Sequence, residues 1–349
     1  MDKNHNNVVV EKQNTGEKEP LLRAEHLKKY FKIKRKGQLH AVDDVSFSVN
    51  EGETLGVVGE SGCGKSTVGN LVMRLLPKTE GALYYRGIDV FNASGEESMY
   101  LRKKMQIIFQ DPFSSLNPRK TVEQILSEAY VIHKAGTKQE ISQKVRNLCD
   151  MVEIPHNLLS RYPHELDGGM RQVVGIARAL SLEADLIVCD EPVSSLDVSV
   201  QAHIINMLMD LQEKMNLSYL FISHDLSVVR HISNRIAVMY LGQIVEMADT
   251  DEMFLNTMHP YSIALLSAVP VVNMNKEKRQ KRIVLEGDVP SPMNPKPGCR
   301  FAPRCWMAQE DCRNSDPTLQ EIAPGHCVAC FHAKEAREWS ERIRNSSIE

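Results

Sequence analysis

The chain has 349 residues, 42 % hydrophobic and 25 % charged, with 42 basic against 45 acidic side chains and a formal charge of -3. That composition is globular, suffices for one large core and a smaller unit, and offers no charge excess to attract nucleic acid or acidic lipid. No apolar run reaches the roughly 18–20 residues that span a bilayer, and the polar start, Met1–Glu19, lacks the apolar stretch of a signal peptide. The expected location is therefore cytoplasmic, with any membrane role exercised through a partner.

Residues 1–19 read as a mobile tail. From residue 20 to 255 short β-branched runs alternate with helical patterns, which predicts an α/β body around a largely parallel, covered sheet. The predicted strands are Thr54–Val58, Gln106–Phe109, Leu186–Cys189, Ser218–Ile222 and Arg235–Tyr240; predicted helices include Thr67–Leu76, Glu140–Val152 and Val200–Met215. A helical insertion is expected over about residues 112–184. A charged linker, Asn275 to Arg282, leads into a proline- and cysteine-rich extension, placed at 256–335, and residues 336–349 are expected as a second tail.

The first chemical signal is Gly59-Glu60-Ser61-Gly62-Cys63-Gly64-Lys65-Ser66, followed by Thr67, which fits the phosphate-loop pattern between a strand and a helix. Glycines let backbone N–H groups converge on phosphates, Lys65 adds a point charge, and the Ser66 hydroxyl suits Mg²⁺. The second signal is Asp190-Glu191 at the end of an apolar strand, where open α/β sheets bind ligands. Asp190 is the expected Mg²⁺ partner and Glu191 the group that polarises an attacking water.

In this order the motifs resemble an ABC-transporter nucleotide-binding domain, a P-loop NTPase fold, and the resemblance spans about residues 20–335. It implies that Tyr30 stacks on adenine. It implies that Gln110 contacts Mg²⁺ and water, that Ser195-Leu196-Asp197 faces a partner domain, and that His224 hydrogen-bonds the γ-phosphate. The family's signature appears as Leu166-Asp167-Gly168-Gly169-Met170, with Asp167 where a serine normally reaches the opposite subunit's nucleotide, and Val173 replaces a common arginine. A carboxylate beside a triphosphate is repulsive. The expectation is an asymmetric ATPase pair in which the site formed with this signature is weak.

The extension narrows the resemblance. His259-Pro260-Tyr261-Ser262, Glu286-Gly287-Asp288-Val289-Pro290-Ser291-Pro292 and Gly298-Cys299-Arg300-Phe301-Ala302-Pro303-Arg304-Cys305 are similar to the tails of oligopeptide and dipeptide importers, and Asp111–Pro118 fits the same group. Such systems imply two non-identical ATPase subunits at the cytoplasmic face of the membrane. They add two membrane-spanning permease subunits and, indirectly, an external peptide-binding protein. Nickel and sugar importers share the extension and are the alternative.

Five of the eight cysteines crowd into the extension. The resemblance assigns Cys299, Cys305, Cys312 and Cys330 to a [4Fe–4S] cluster; zinc and buried free thiols remain alternatives on the residues alone. Cys327 is an extra thiol near the fourth position, and His326 and His332 are further candidate ligands.

Overall fold

In the computed structural model, residues 19–268 and 283–346 are described, except for the side chains of residue 112 and residues 343–346. The expected tail up to residue 18 and the charged linker Asn275 to Arg282 lie outside them. Twelve strands are assigned among these residues: β1 (Leu22–Ile33), β2 (Gly37–Val49), β3 (Thr54–Val58), β4 (Glu80–Tyr85), β5 (Ile88–Asp89), β6 (Met105–Ile108), β7 (Leu186–Asp190), β8 (Ser218–Ile222), β9 (Arg235–Tyr240), β10 (Gln243–Asp249), β11 (Gln320–Ala323) and β12 (His326–Val328). They form two sheets. One has the order β11-β12-β10-β9-β3-β8-β7-β6, and the other β2-β1-β4-β5.

In the larger sheet β9, β3, β8, β7 and β6 run parallel. β3, β7 and β8 are buried along their whole length, as sequences such as Leu-Ile-Val-Cys require when both faces are covered. One face packs on helices Val122–Ile132, Lys138–Met151 and Gly168–Leu180, which lie between β6 and β7 in the chain. The other face packs against the antiparallel sheet through Leu22, Val45, Leu55 and Leu220. That second sheet was not foreseen. Its two long strands carry several charges and register irregularities, which blur the period-2 signal.

The extension does not stand apart. β12 pairs antiparallel with β10, and β11 with β12, so residues 320–328 continue the sheet that carries the phosphate loop. Residues 336–346, expected as tail, belong to helix Ala333–Ser346, supported by Arg337–Glu341 at i, i+4.

A buried ionic knot fastens this junction. Glu246 on β10 is fully buried and accepts hydrogen bonds from the Met258 N–H at 2.6 Å and the His259 N–H at 3.1 Å. His326 Nε2 lies 2.8 Å from the same carboxylate and its Nδ1 3.4 Å from Glu252. Burial alone would lower the His326 pKa, but Glu246 and Glu252 outweigh it and leave it raised.

Glu246→Leu strands three buried donors and should cost about 3–5 kcal/mol, read as a fall in the urea midpoint. Because His326 holds its proton more tightly in the fold, its contribution is complete below the unfolded value of about 6.5 and fades as pH rises through the folded value. The stability gap between the wild type and His326→Gln should therefore narrow as pH rises above about 6.5; a gap that widens would contradict the protonated pair.

Candidate active site

The parallel strands deliver their C-terminal ends to one edge, and the predicted site residues follow those ends. β3 leads into Gly59–Ser66, β6 into Gln110, β7 into Asp190-Glu191, and β8 into His224. Together they border a cavity of about 470 Å³ lined by Ser61, Gly62, Gly64, Lys65, Ser66, Thr67, Gln110, Glu191 and His224.

The loop is held where only glycine fits. A Cβ on Gly59 would meet the Met239 carbonyl oxygen at 2.2 Å, and one on Gly64 the Ala41 carbonyl oxygen at 2.1 Å; their φ angles are 153° and 107°. Helix Lys65–Val72 starts at the loop, so unpaired N–H groups face the cavity. Lys65 is buried, and its Nζ donates to the carbonyl oxygens of Gly59 at 2.8 Å and Glu60 at 3.2 Å. Cys63 lies beneath the loop, where burial raises its thiol pKa despite the Lys65 charge.

Ser66 Oγ donates to Asp190 Oδ1 at 2.8 Å. Burial pushes the Asp190 pKa up, helped by Glu191 and opposed by Ser66 and Lys65. A hydroxyl and a half-desolvated carboxylate are hard oxygen donors of the kind that suit Mg²⁺, which would restore the anionic form. Glu191 has φ 46°, an uncommon conformation for a non-glycine residue. Its Oε2 accepts from Gln110 Nε2 at 2.8 Å and lies 3.3 Å from His224 Nδ1. One carboxylate thus joins three strand ends.

Tyr30 requires a correction. It does not line the cavity; Phe31 does. The Tyr30 ring stacks on His40 at 3.9 Å and its hydroxyl donates to Asp43. Successive strand residues face opposite sides, and a register shift between Lys29 and Tyr30 decides which aromatic faces inward. Leu39, His40, Ala41, Leu241, Gly242 and Pro292 complete the wall, and none of them was expected at this site from sequence. Pro292 comes from the extension.

The signature lies elsewhere. None of Leu166, Asp167, Gly168, Gly169 and Met170 lines this cavity. Asp167 caps helix Gly168–Leu180, accepting from the Met170 N–H at 2.7 Å. Val173 is buried within the helical insertion, and Asp197 caps helix Val198–Met215.

Cys299, Cys305 and Cys312 border a groove of about 670 Å³. Burial pushes the Cys330 thiol up to about 12 against the hydrogen bond that it accepts from the His332 N–H, with smaller upward contributions from Cys299, Cys305 and Cys312. Among the described residues, only Asp311, Cys312 and His332 bring three ligand atoms within 4.8 Å of one another. No three of the four thiols are therefore mutually that close, whereas tetrahedral ligation by zinc sets sulfurs about 3.8 Å apart. Cys327 does not join them: it packs against the opposite core, next to Glu321 and Arg235. His326 is committed to Glu246 and Glu252, whereas His332 lies beside Asp311 at 3.1 Å.

The model of the ABC transporter family matches residues 42–194, and that of the oligopeptide/dipeptide transporter C-terminal region matches residues 245–312. The chain is 50 % identical over 319 residues to the oligopeptide transport ATP-binding protein AppF of Bacillus subtilis, covering 89 % of this chain and 97 % of that one. It is 48 % identical over 326 residues to the dipeptide transport ATP-binding protein DppF of Haemophilus influenzae, covering 92 % and 98 %. Among solved structures, a dimeric ATP-binding cassette in a post-hydrolysis state bound to ADP and Pi superposes with a TM-score of 0.60 at 26 % identity, over 66 % of this chain and 98 % of that one. A cassette from the ABC transporter complex cbiONQ of Clostridium perfringens gives 0.60 at 26 %, over 68 % and 91 %.

Phe31→Ala should weaken ATP binding about tenfold through lost ring contact, whereas Tyr30→Phe should change it less than about twofold. Titration of a fluorescent ATP analogue into each variant decides between the two rings.

Proposed function

The chain belongs to the ATP-binding subunits of ABC-type oligopeptide and dipeptide transporters, and from that membership we propose that it binds and hydrolyses ATP to energise peptide import. The supporting observation is the convergence of Lys65, Ser66, Gln110, Asp190, Glu191 and His224 on one cavity edge. Nickel and sugar uptake are not favoured, because the matched relatives carry oligopeptide and dipeptide names.

In this reading the loop amides and Lys65 hold the triphosphate, and the adenine lies against Phe31. Ser66, Asp190 and Gln110 would hold Mg²⁺, which would supply charge neutralisation on the phosphates. Glu191 orients and polarises the attacking water, with Gln110 and His224 fixing its carboxylate from two sides. His224 then reaches the γ-phosphate as a hydrogen-bond donor.

No helix among the described residues is long and apolar enough to cross a membrane. The subunit works peripherally, at the cytoplasmic face, by closing head to tail with a second, non-identical ATPase subunit and moving two permease subunits. An external binding protein delivers the peptide. Asp167 makes the pair asymmetric. Its cap on Met170 is one that serine would also supply, but its carboxylate sets negative charge beside the partner's nucleotide. The four thiols Cys299, Cys305, Cys312 and Cys330 would hold a [4Fe–4S] cluster, which would staple a proline-rich segment too poor in apolar residues to fold alone.

Glu191→Gln should retain ATP binding while cutting hydrolysis by at least about a hundredfold in the assembled transporter. Asp167→Ser should raise the ATPase rate of that complex; an unchanged rate removes the asymmetric reading. Anaerobically purified chain should show broad visible absorbance with about four irons per chain, and stoichiometric zinc without iron would exclude the cluster.

A further inference from the structure

The phosphate loop is gripped from the cysteine-bearing segment. Arg304, between Cys299 and Cys305 in sequence, donates from Nη1 to Glu60 Oε2 at 2.9 Å and from Nη2 to Glu60 Oε1 at 3.2 Å. Such a fork fixes direction as well as distance. The Arg304 side chain is 8 % exposed and that of Glu60 30 %, so the pair is shielded on the arginine side. Glu60 is the second residue of the loop, and its N–H donates to the buried Tyr261 hydroxyl at 2.9 Å. Its carbonyl accepts from Lys65 at 3.2 Å. The loop's first peptide units are therefore held by a side chain from the extension, a tyrosine from the preceding helix and the phosphate-binding lysine itself.

The arginine is aimed by its surroundings. Phe301 packs edge-on against Tyr240 at 5.3 Å and beside Tyr261 at 5.5 Å, fixing the turn that carries Arg304. Arg300 donates to the Leu241 carbonyl and to Asp43, tying the same segment to the cavity wall. Upstream, the Pro292 carbonyl accepts from the His40 N–H at 3.1 Å, and Met293 bridges Leu39. The glycines give the loop little stiffness of its own, so these external contacts set its shape.

We propose that Arg304 is a positioning residue for ATP: through Glu60 it holds the phosphate loop in its binding shape and couples nucleotide occupancy to order in the segment around residues 298–313. This deepens the ATPase reading and rests on it. The coupling is reciprocal, so a nucleotide that needs the ordered loop also tightens the segment.

The test uses the full-length chain, purified anaerobically, with Mg·AMP-PNP as probe. Arg304→Gln and Glu60→Gln should each weaken binding about fivefold or more, with iron content unchanged. The double variant should be no weaker than either single one, since both remove the same contact. Wild-type chain should gain hydrogen-exchange protection over residues 298–313 when the nucleotide binds, and Arg304→Gln should not. Single variants that bind like wild type, penalties that add, or protection that survives in Arg304→Gln would each overturn the proposal. A wild-type chain that does not bind the nucleotide at all would instead sink the ATPase reading.

Discussion

The close approach of the phosphate loop to its neighbours' carbonyls governs the molecule. Gly59 and Gly64 sit where a Cβ would strike the backbone oxygens of Met239 and Ala41. That closeness presses the loop between β9 and β2, and the Gly242 N–H donating to the Cys63 carbonyl at 2.7 Å closes it from a third side. The loop is therefore shaped by tertiary packing, not by local turn preference. A nest of amides so constrained is ready for an anion before the anion arrives, which lowers the ordering cost of binding.

The carboxylates follow from the same packing. β7 lies between β6 and β8 in the parallel sheet, so its last residue, Asp190, is carried inward to Ser66, while the turn at Glu191 swings the next carboxylate into the cavity. The positive φ of Glu191 is the local cost of presenting two adjacent acids in different directions. Burial disfavours charge on Asp190, whereas Glu191 meets Gln110 and His224 near water. Two neighbouring carboxylates thereby acquire separate environments, the usual basis for separate roles.

Legibility in the sequence tracked how local each signal was. Lys65, Ser66, Asp190 and Glu191 could be placed because a contiguous motif or an apolar strand carries them to the sheet edge, and the parallel core was readable from its unbroken β-branched runs. Phe31 could not be told from Tyr30, because a register shift one residue away sets which face each occupies. Pro292, Arg304 and the Glu246–His326 pair were out of reach for a plainer reason. Their partners lie 80 or more residues away, and no local period encodes such contacts. The separation of Cys327 from the other four likewise emerges only once β12 alternates its faces.

The boundary expected near residue 255 has no physical counterpart in the sheet. Strands from the extension pair with β10, and Glu246 draws the chain turns at Met258 and His259 onto the same strand. A proline-rich segment has little apolar surface to bury against itself, so it must borrow a core, and it borrows the aromatic cluster of Tyr240 and Tyr261 through Phe301. Tyr240 and Tyr261 are also the residues that flank Arg304 and Glu60. The extension therefore cannot dock without touching the walls of the nucleotide cavity. Any force that loosens the docked segment acts on the phosphate loop through contacts only one side chain long.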